Sequence, residues 1–208
     1  MTKFFGLILV LLCTTSLFSQ KVMEKQLDIS EIKRIELFAD AVFKIKITTS
    51  KTKTLTIHTA VEGEYAESVV LDIKRSLSTL TITPGLTPFF TKKNDKLAAH
   101  KVMAIELEII IPENLYVTIY STLASLHCSG YFKYFQAYLE SGNCNISTYQ
   151  GDGFIQTKSG NIIINAIEDL SVQTYSKSGL ISGKTNKAQL YTLEIKTLSG
   201  DISILETN

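Results

Sequence analysis

Hydrophobic and polar residues alternate with a period of two along most of this chain. Such alternation is typical of β-strands that bury one face. The segments are rich in Ile, Leu, Val, Thr and Tyr, which favour extended backbone. A short helix is weakly indicated at 93–101 and at 62–68. We therefore expect an all-β protein, with strands at 34–37, 41–48, 55–58, 69–73, 80–83, 104–111 and 115–120.

From Phe135 onward the strands recur in four similar units, each made of a strand, a Ser-Gly corner and a second strand. The corners stand at 141/142, 159/160, 178/179 and 199/200, separated by 18, 19 and 21 residues. Glycine suits such a corner because it tolerates a positive φ or a close backbone approach. The serine hydroxyl can bond the backbone of a neighbouring turn. A period near 20 with two short strands per unit is typical of a solenoid.

The repeats predict one single-stranded β-helix (β-solenoid) over 20–208, with about nine coils and an irregular excursion at about 84–101. They leave the handedness of the coil open, with right-handed coiling favoured. The polar segments 20–30 and 206–208 are its predicted caps. An open solenoid end is a template for strand pairing, so a homodimer through the ends is one predicted form of association. Stacking in chain order places two sets of residues in inward rows: Ala124, Cys144, Ile162, Ile181 and Ile202, then Leu126, Ile146, Ile164, Gly183 and Ile204.

The corners carry a family resemblance. Ser159-Gly160-Asn161-Ile162 and Ser199-Gly200-Asp201-Ile202 resemble the Ser-Gly-Asn/Asp-Ile corner of the bacterial putative-adhesin β-strand repeats, a group that includes the "head GIN" adhesin-like proteins. The resemblance extends over roughly 30–205 and is sharpest from Phe135 onward. It implies an exported single-domain β-helix of adhesin-like type, and it brings no functional residues with it.

The first 19 residues resemble a signal peptide. Lys3 precedes an apolar run at 4–13, and a more polar stretch ends with the small Ser19 ahead of a cut before Gln20. The run is shorter than the roughly 20 residues that span a bilayer. Leu12 before Cys13 argues against lipidation. We expect no transmembrane span after signal removal, and a periplasmic or cell-envelope location, with secretion as the alternative.

Charge limits the partners of the mature chain. Removing 1–19 lowers Lys+Arg from 21 to 20, which equals the 20 acidic residues. Nucleic acid is bound through an excess of Lys and Arg, so we expect no nucleic-acid partner. Cys128 and Cys144 remain. The solenoid register sets them about four positions, some 13 Å, apart along the strands. A disulfide needs Cα atoms within about 7 Å, which predicts free thiols.

No catalytic, metal or cofactor site is predicted. His58, His100 and His127 lack partners at metal-ligand spacing, and we expect His58 and His127 to lie on strand faces. Glu62, Glu64 and Glu67 form an acidic cluster, which is more typical of a solvated face than of a catalytic pair. The chain lacks a Gly-x-Ser-x-Gly elbow and a phosphate-binding glycine loop. We therefore expect a protein that is not an enzyme.

Two features are candidates for binding. The excursion at 84–101 is long and irregular, as many binding loops are, although a lid over an apolar flank is the favoured interpretation. The second feature is an aromatic stretch, Tyr131, Phe132, Tyr134, Phe135 and Tyr138, which is either an internal ladder or a set of outward rings. The candidate binding residues of the excursion are Phe89, Phe90, Lys92, Lys93, Lys96, His100 and Lys101.

Three functions remain open. The first is an exported, non-enzymatic adhesin-like or scaffolding protein of the cell envelope, whose partner is an envelope protein or a glycan. The second is a carbohydrate-binding or carbohydrate-acting β-helix. Outward aromatic rings beside two or more carboxylates would favour it, and burial of every ring without a groove would exclude it. The third, a binder of small ligands or lipids, requires an apolar pocket under the 84–101 segment.

Overall fold

A computed structural model describes residues 21–63, 65–88, 103–166, 170–183 and 190–206. The described chain is all-β, apart from one 3-10 turn at Ala66–Ser68. The first eight strands are β1 (Lys21–Asp28), β2 (Arg34–Phe38), β3 (Lys44–Ser50), β4 (Thr54–Glu62), β5 (Val69–Ser76), β6 (Thr79–Leu86), β7 (Ala104–Pro112) and β8 (Tyr116–Ser121). The others are β9 (Ser125–Leu139), β10 (Cys144–Ser159), β11 (Ile162–Ala166), β12 (Leu170–Ser178), β13 (Ile181–Ser182), β14 (Tyr191–Ser199) and β15 (Ile202–Glu206).

All fifteen strands belong to one curled sheet with two runs. The first run has the order β1-β4-β7-β3-β9-β10-β11-β15-β13. The second has the order β5-β6-β2-β8-β9-β10-β14-β12. The long strands β9 and β10 take part in both runs, pairing with one at their start and with the other at their end. They therefore join the two runs along one bend.

The two runs enclose one apolar core. Inward residues from both, such as Ile35, Ile45, Ile57 and Ile119, are almost fully buried in the same cluster. The bend in β9 and β10 is filled by three buried rings, which are Phe132, Phe135 and Tyr149. Burial of this apolar surface supplies the main stabilising contribution, at roughly 25 cal/mol per Å².

The predicted single-stranded β-helix over 20–208, and with it the coil count and the right-handedness, is wrong. The sheet has mixed orientation, because β1 pairs antiparallel with β4, β4 with β7, and β5 with β6. The segment 20–30 was predicted to cap the N-terminal end of the solenoid. It instead contains β1, which is an edge strand of the sheet. Alternation shows which face of a strand is buried, but it does not show which strand lies beside it or in which direction.

The C-terminal units also stack out of chain order. Ile162 pairs with Ile202, and Ile202 pairs with Ile181, so the fourth unit lies between the second and the third. The predicted inward rows are wrong in a second respect. Cys144 lies opposite Leu126, not Ala124, a slip of two residues that keeps the inward face unchanged.

The positions of the predicted strands are confirmed. Each of the seven segments read from alternation overlaps one of the strands β2 to β8. The weak helical signal at 62–68 corresponds to the 3-10 turn, and the other, at 93–101, lies outside the described residues. Within the described ranges, no helix is long and apolar enough to cross a membrane.

Candidate functional site

Four aromatic rings form a ladder on the outer face of the second run. They come from four neighbouring strands: Phe38 on β2, Tyr120 on β8, Tyr138 on β9 and Phe154 on β10. Ring centroids lie 5.1 Å apart for Phe38 and Tyr120, 5.2 Å for Tyr120 and Tyr138, and 5.8 Å for Tyr138 and Phe154. We call these four residues the aromatic ladder.

Strand register explains the ladder. Phe38 lies directly opposite Tyr120, and Tyr120 directly opposite Tyr138. The residues before these rings, Leu37, Ile119 and Ala137, point into the core and are buried. Because successive side chains of a strand alternate between faces, burial of the aliphatic residue forces the ring outward. The spacing of the rings follows the strand spacing of about 4.8 Å.

The rings stay accessible to solvent. Phe38 is 41% exposed and Tyr120 is 39% exposed, although each stacks on its neighbour with interplanar angles near 10°. Tyr138 and Phe154 are partly buried, and Phe154 is tilted by 49° from Tyr138. Large outward rings side by side form an apolar surface of the kind that marks binding sites.

A line of polar groups follows the ladder. The Thr118 hydroxyl donates to Oε1 of Gln136 at 3.4 Å, and the Gln136 amide donates to the Tyr138 hydroxyl at 3.4 Å. Gln156 lies opposite Tyr138 on the next strand and is exposed. Thr118 itself is only 4% exposed, so the groups open to a ligand are the Gln136 and Gln156 amides and the Tyr138 hydroxyl, which can donate and accept and suit a ligand rich in hydroxyl groups.

Charged groups surround one end of the ladder in matched pairs. Lys196 lies over the Phe154 ring, with Nζ 5.3 Å from the centroid, and it also pairs with Glu194 at 2.7 Å. Lys158 pairs with Glu140 across neighbouring strands. The cation over the ring face is a favourable contact. The pairing leaves the rim polar but with little net charge.

A shallow cavity of about 230 Å³ opens beside the two tyrosines of the ladder. Its wall includes two carboxylates, Asp40 and Glu140, both of which are exposed. The cavity is smaller than the 300–1,000 Å³ of typical drug-sized pockets. The other lining residues are Tyr120, Ser121, Thr122, Tyr138, Leu139, Gln156 and Lys158. Outward rings, two carboxylates and a groove therefore meet on one face, an arrangement that favours the carbohydrate hypothesis.

The predicted aromatic stretch divides between core and surface. Phe132 and Phe135 are fully buried, which fits the internal ladder, whereas Tyr138 belongs to the outer ladder. Tyr134 and Tyr131 are partly exposed, and the ring centroid of Tyr131 lies 6.4 Å from that of Tyr191. The sequence did not point to Phe38, Tyr120 or Phe154 as site residues. Each follows the local alternation, but their alignment depends on strand pairing across distant parts of the chain.

The candidate residues of the excursion lie outside the described residues. These are Phe89, Phe90, Lys92, Lys93, Lys96, His100 and Lys101. Their role as a binding loop, and the alternative of a lid, stay predictions. The acidic cluster is described only in part: Glu62 and Glu67 are exposed, and Glu64 lies outside the described residues.

The histidines and cysteines are placed as predicted. His58 on β4 and His127 on β9 both lie on outer strand faces. The Nδ1 atom of His58 lies 3.5 Å from Oε2 of Glu24. Among the residues that the structure describes, no group of three or more His, Cys, Asp or Glu could hold a metal ion. Cys128 and Cys144 are buried free thiols, as predicted. Because Cys144 lies opposite Leu126, the two cysteines are offset by two residues along the strands instead of the four expected. Burial raises the pKa of Cys144 to about 12 and that of Cys128 well above its ordinary value.

Comparison with solved structures gives a clear match for the fold. A "putative cell adhesion protein" from Clostridium sporogenes aligns with a TM-score of 0.66 at 12% identity, covering 91% of this chain and 100% of that one. The described chain has the fold of that protein. The likeness to adhesin-like proteins that the Ser-Gly-Asn/Asp-Ile corners predicted is thus confirmed, but the shared fold is not the β-helix that the resemblance implied.

Two weaker matches bear similar names. They are "putative adhesins" from Bacteroides fragilis and Parabacteroides distasonis, with TM-scores of 0.38 and 0.32 and identities of 13% and 12%. They cover 90% and 88% of this chain and 99% and 97% of their own, but at such TM-scores they carry no argument. No protein-family model and no curated protein matches the chain. Since one fold supports many functions, function has to be argued from the site.

Proposed function

We propose that the chain is an exported, non-enzymatic adhesin-like protein that binds glycan chains on the aromatic ladder. The observation that carries the proposal is the set of four aligned outward rings beside a groove lined by Asp40, Glu140 and Gln156. The C–H faces of sugar rings pack against aromatic rings, while sugar hydroxyls bond amides and carboxylates. A ladder that crosses four strands offers repeated contacts to an extended chain.

The charge pattern supports a glycan that is not anionic. The lysines at the ladder are each paired with a glutamate, Lys158 with Glu140 and Lys196 with Glu194. A strongly anionic polysaccharide would favour unpaired cations, and a cationic one would favour unpaired carboxylates. Asp40 is the exposed carboxylate at the groove that no described ion pair includes.

Binding is favoured over hydrolysis by the setting of the two carboxylates. Glycoside hydrolases keep one carboxylic acid protonated by placing it in an apolar pocket. Asp40 and Glu140 are both exposed, and the Glu140 carboxylate is held by Lys158.

Export is supported by the signal-like segment 1–19. Cleavage of that segment predicts a mature N-terminus at Gln20, which mass spectrometry of the natural protein would check.

The test is a glycan-array screen followed by affinity measurements on matched variants. Phe38→Ala removes a ladder ring that is 41% exposed, and Phe43→Ala removes a ring that is 42% exposed but outside the ladder. We expect Phe38→Ala to weaken binding about two- to tenfold, since one ring contact is worth roughly 0.5–1.5 kcal/mol. Phe43→Ala should leave binding unchanged.

A second pair of variants separates the ladder from the 84–101 segment. Tyr120→Ala with Tyr138→Ala should abolish binding, and Phe89→Ala with Phe90→Ala should preserve it. The reverse result would reject the ladder and assign recognition to the segment. Binding to no glycan, in protein that remains folded, would reject glycan recognition and favour a scaffolding role.

A further inference from the structure

Two cations lie over one aromatic ring on the outer face of the second run. The guanidinium carbon Cζ of Arg34 lies 5.1 Å from the Tyr116 ring centroid, and Nζ of Lys133 lies 5.4 Å from the same centroid. Arg34 on β2 is directly opposite Tyr116 on β8, and Lys133 belongs to β9, on the other side of β8. The ring therefore attracts one cation from each flanking strand. We call Arg34, Tyr116 and Lys133 the cationic cluster.

The sheet holds the cluster in place. The Tyr116 N–H donates to the Lys33 carbonyl at 3.0 Å, where β2 and β8 begin to pair. The next residues, Ile35 and Val117, are buried. Because successive side chains alternate between faces, Arg34 and Tyr116 point outward. Lys33 is exposed and adds a third positive charge to this end of β2.

The cluster has no counter-charge among the residues that the structure describes. Other lysines on the sheet pair with a carboxylate, as Lys44 does with Glu106 at 3.1 Å. No described ion pair includes Arg34 or Lys133. The two cations and the Tyr116 hydroxyl also form no hydrogen bond with a described side chain. Like charges held side by side with unused donors are stabilised by an anion.

Three carboxylates lie on neighbouring positions without neutralising the cluster. Glu36 is on the same face of β2 as Arg34, and Glu113 precedes β8, but no described ion pair joins either to the cluster. Asp152 on β10 accepts a hydrogen bond from the Thr192 N–H at 2.9 Å. These negative charges weaken long-range attraction of anions. Recognition at the cluster therefore depends on direct hydrogen bonds.

We infer that the cationic cluster binds a phosphate group carried as a monoester. The Arg34 guanidinium offers parallel N–H donors that match two phosphate oxygens, and Lys133 adds a point charge. The Tyr116 hydroxyl is a further donor. The two cations are no further apart than the sum of their distances to the ring, so one anion can contact both. A phosphate monoester has three free oxygens for these three groups, whereas a carboxylate has two.

The cluster is separate from the aromatic ladder. Arg34 and Tyr116 precede Phe38 and Tyr120 by four residues on the same strands, a distance of about 13 Å. Both sites lie on one outer face and can be occupied together. The inference does not depend on glycan binding, and it is tested without glycan.

The test is a titration of the mature chain with inorganic phosphate, followed by NMR signals of the Tyr116 ring. Sodium chloride at equal ionic strength is the reference. We expect saturable shifts with phosphate alone. Arg34→Gln/Lys133→Gln should raise the dissociation constant about tenfold or more, because charged hydrogen bonds are lost. The control Lys51→Gln/Lys53→Gln removes two exposed lysines elsewhere and should leave the constant unchanged.

Vesicles identify the source of the phosphate. Sedimentation with phosphatidylcholine vesicles that contain phosphatidic acid, lost in Arg34→Gln/Lys133→Gln, would identify a lipid headgroup. Binding of inorganic phosphate without sedimentation would identify a soluble phosphate ester. The inference is overturned if chloride causes the same shifts, if folded protein shows no saturable shift, or if the control variant loses as much affinity as the cluster variant. Circular dichroism verifies that each variant is folded.

Discussion

The side-chain oxygen Oδ1 of Asn161 accepts a hydrogen bond from the backbone N–H of Asp201 at 3.0 Å, although 40 residues separate the two. The same contact recurs in neighbouring layers. Asn143 accepts from the N–H of Asn161 at 3.0 Å, and Asp201 accepts from the N–H of Leu180 at 2.8 Å. The Ser-Gly-Asn/Asp-Ile corners thus form one hydrogen-bonded column.

The column explains why the fourth unit lies between the second and the third. Each layer that continues the column needs a side-chain acceptor for the next corner, and Asn143, Asn161 and Asp201 supply one. The third unit has Leu180 at this position, which can donate its N–H but offers no side-chain acceptor. It therefore fits only at the end of the column. These corner N–H groups are exposed, so each such hydrogen bond contributes about 0.5–1.5 kcal/mol; a corner stacked on Leu180 would lose that contribution, which favours this order over stacking in chain order.

Removing one acceptor from the column should destabilise the protein. Asn161→Ala leaves the N–H of Asp201 without its partner, so we expect a loss of about 1 kcal/mol in the free energy of unfolding. Asn161→Asp should keep most of the stability, since Asp201 serves the same purpose one layer on. Urea unfolding followed by circular dichroism gives the comparison. The control is Asn145→Ala on β10, and an equal loss there would contradict a specific role for the column.

The corner glycines should tolerate no side chain. Gly160 has φ +123°, and a Cβ built on it would stand 2.2 Å from the carbonyl oxygen of Gly142. Gly160→Ala combines backbone strain with a clash against a neighbouring layer, so we expect a loss of roughly 3 kcal/mol. Gly85→Ala, with nothing within 4 Å of the added Cβ, should change stability by less than about 0.5 kcal/mol. Similar unfolding midpoints for the two variants would refute the close-packed column.

Local features of this fold were predictable from the sequence. Alternation located the strands because it reports which face of a segment is buried. The corners behave as expected: Gly160 and Gly200 combine positive φ with close approach, and the Ser141 hydroxyl donates to the Thr122 carbonyl at 2.8 Å. Stacking order and register were not predictable in this way. A slip of two residues from Ala124 to Leu126 leaves the same face inward, so alternation cannot detect it.

The candidate site escaped prediction for a related reason. Phe38 and Tyr120 stack at 5.1 Å, but 82 residues separate them and neither belongs to a repeat unit. Their contact depends on the parallel pairing of β2 with β8. No local pattern reports that pairing. The useful signal in the sequence was an aromatic residue beside a buried aliphatic one on several strands, which shows that a ring points outward but not which rings align.

A cross-strand ion pair should make stability depend on pH in a defined range. The hydrogen bond from Lys46, at 2.6 Å, lowers the pKa of Glu108 below its ordinary value of 4.5. The contribution of this ion pair to stability is therefore fully present at a pH above 4.5, and it is lost as the pH falls through the lowered pKa of Glu108 in the folded state. Both side chains are about half exposed, so solvent screening limits the effect to about 0.5 kcal/mol.

The variant Glu108→Gln isolates this contribution. It should be less stable than the wild type in urea at neutral pH, and the difference should vanish at a pH below the folded pKa of Glu108. Glu62→Gln, an exposed change at the end of β4, is the matched control and should show no difference at either pH. A Glu108→Gln deficit that persists unchanged in acid would show that the loss is not due to the charge.

The two mature cysteines should be inert in the folded protein. Thiol reagents attack the thiolate, and burial raises the pKa of Cys144 to about 12 and the pKa of Cys128 in the same direction. At mildly alkaline pH the native chain from Gln20 should therefore react with a disulfide reagent only as fast as it unfolds. Both thiols should react at once in denaturant. Single variants Cys128→Ala and Cys144→Ala assign each signal, and rapid labelling of either thiol in native protein would show that its strand opens far more readily than its burial implies.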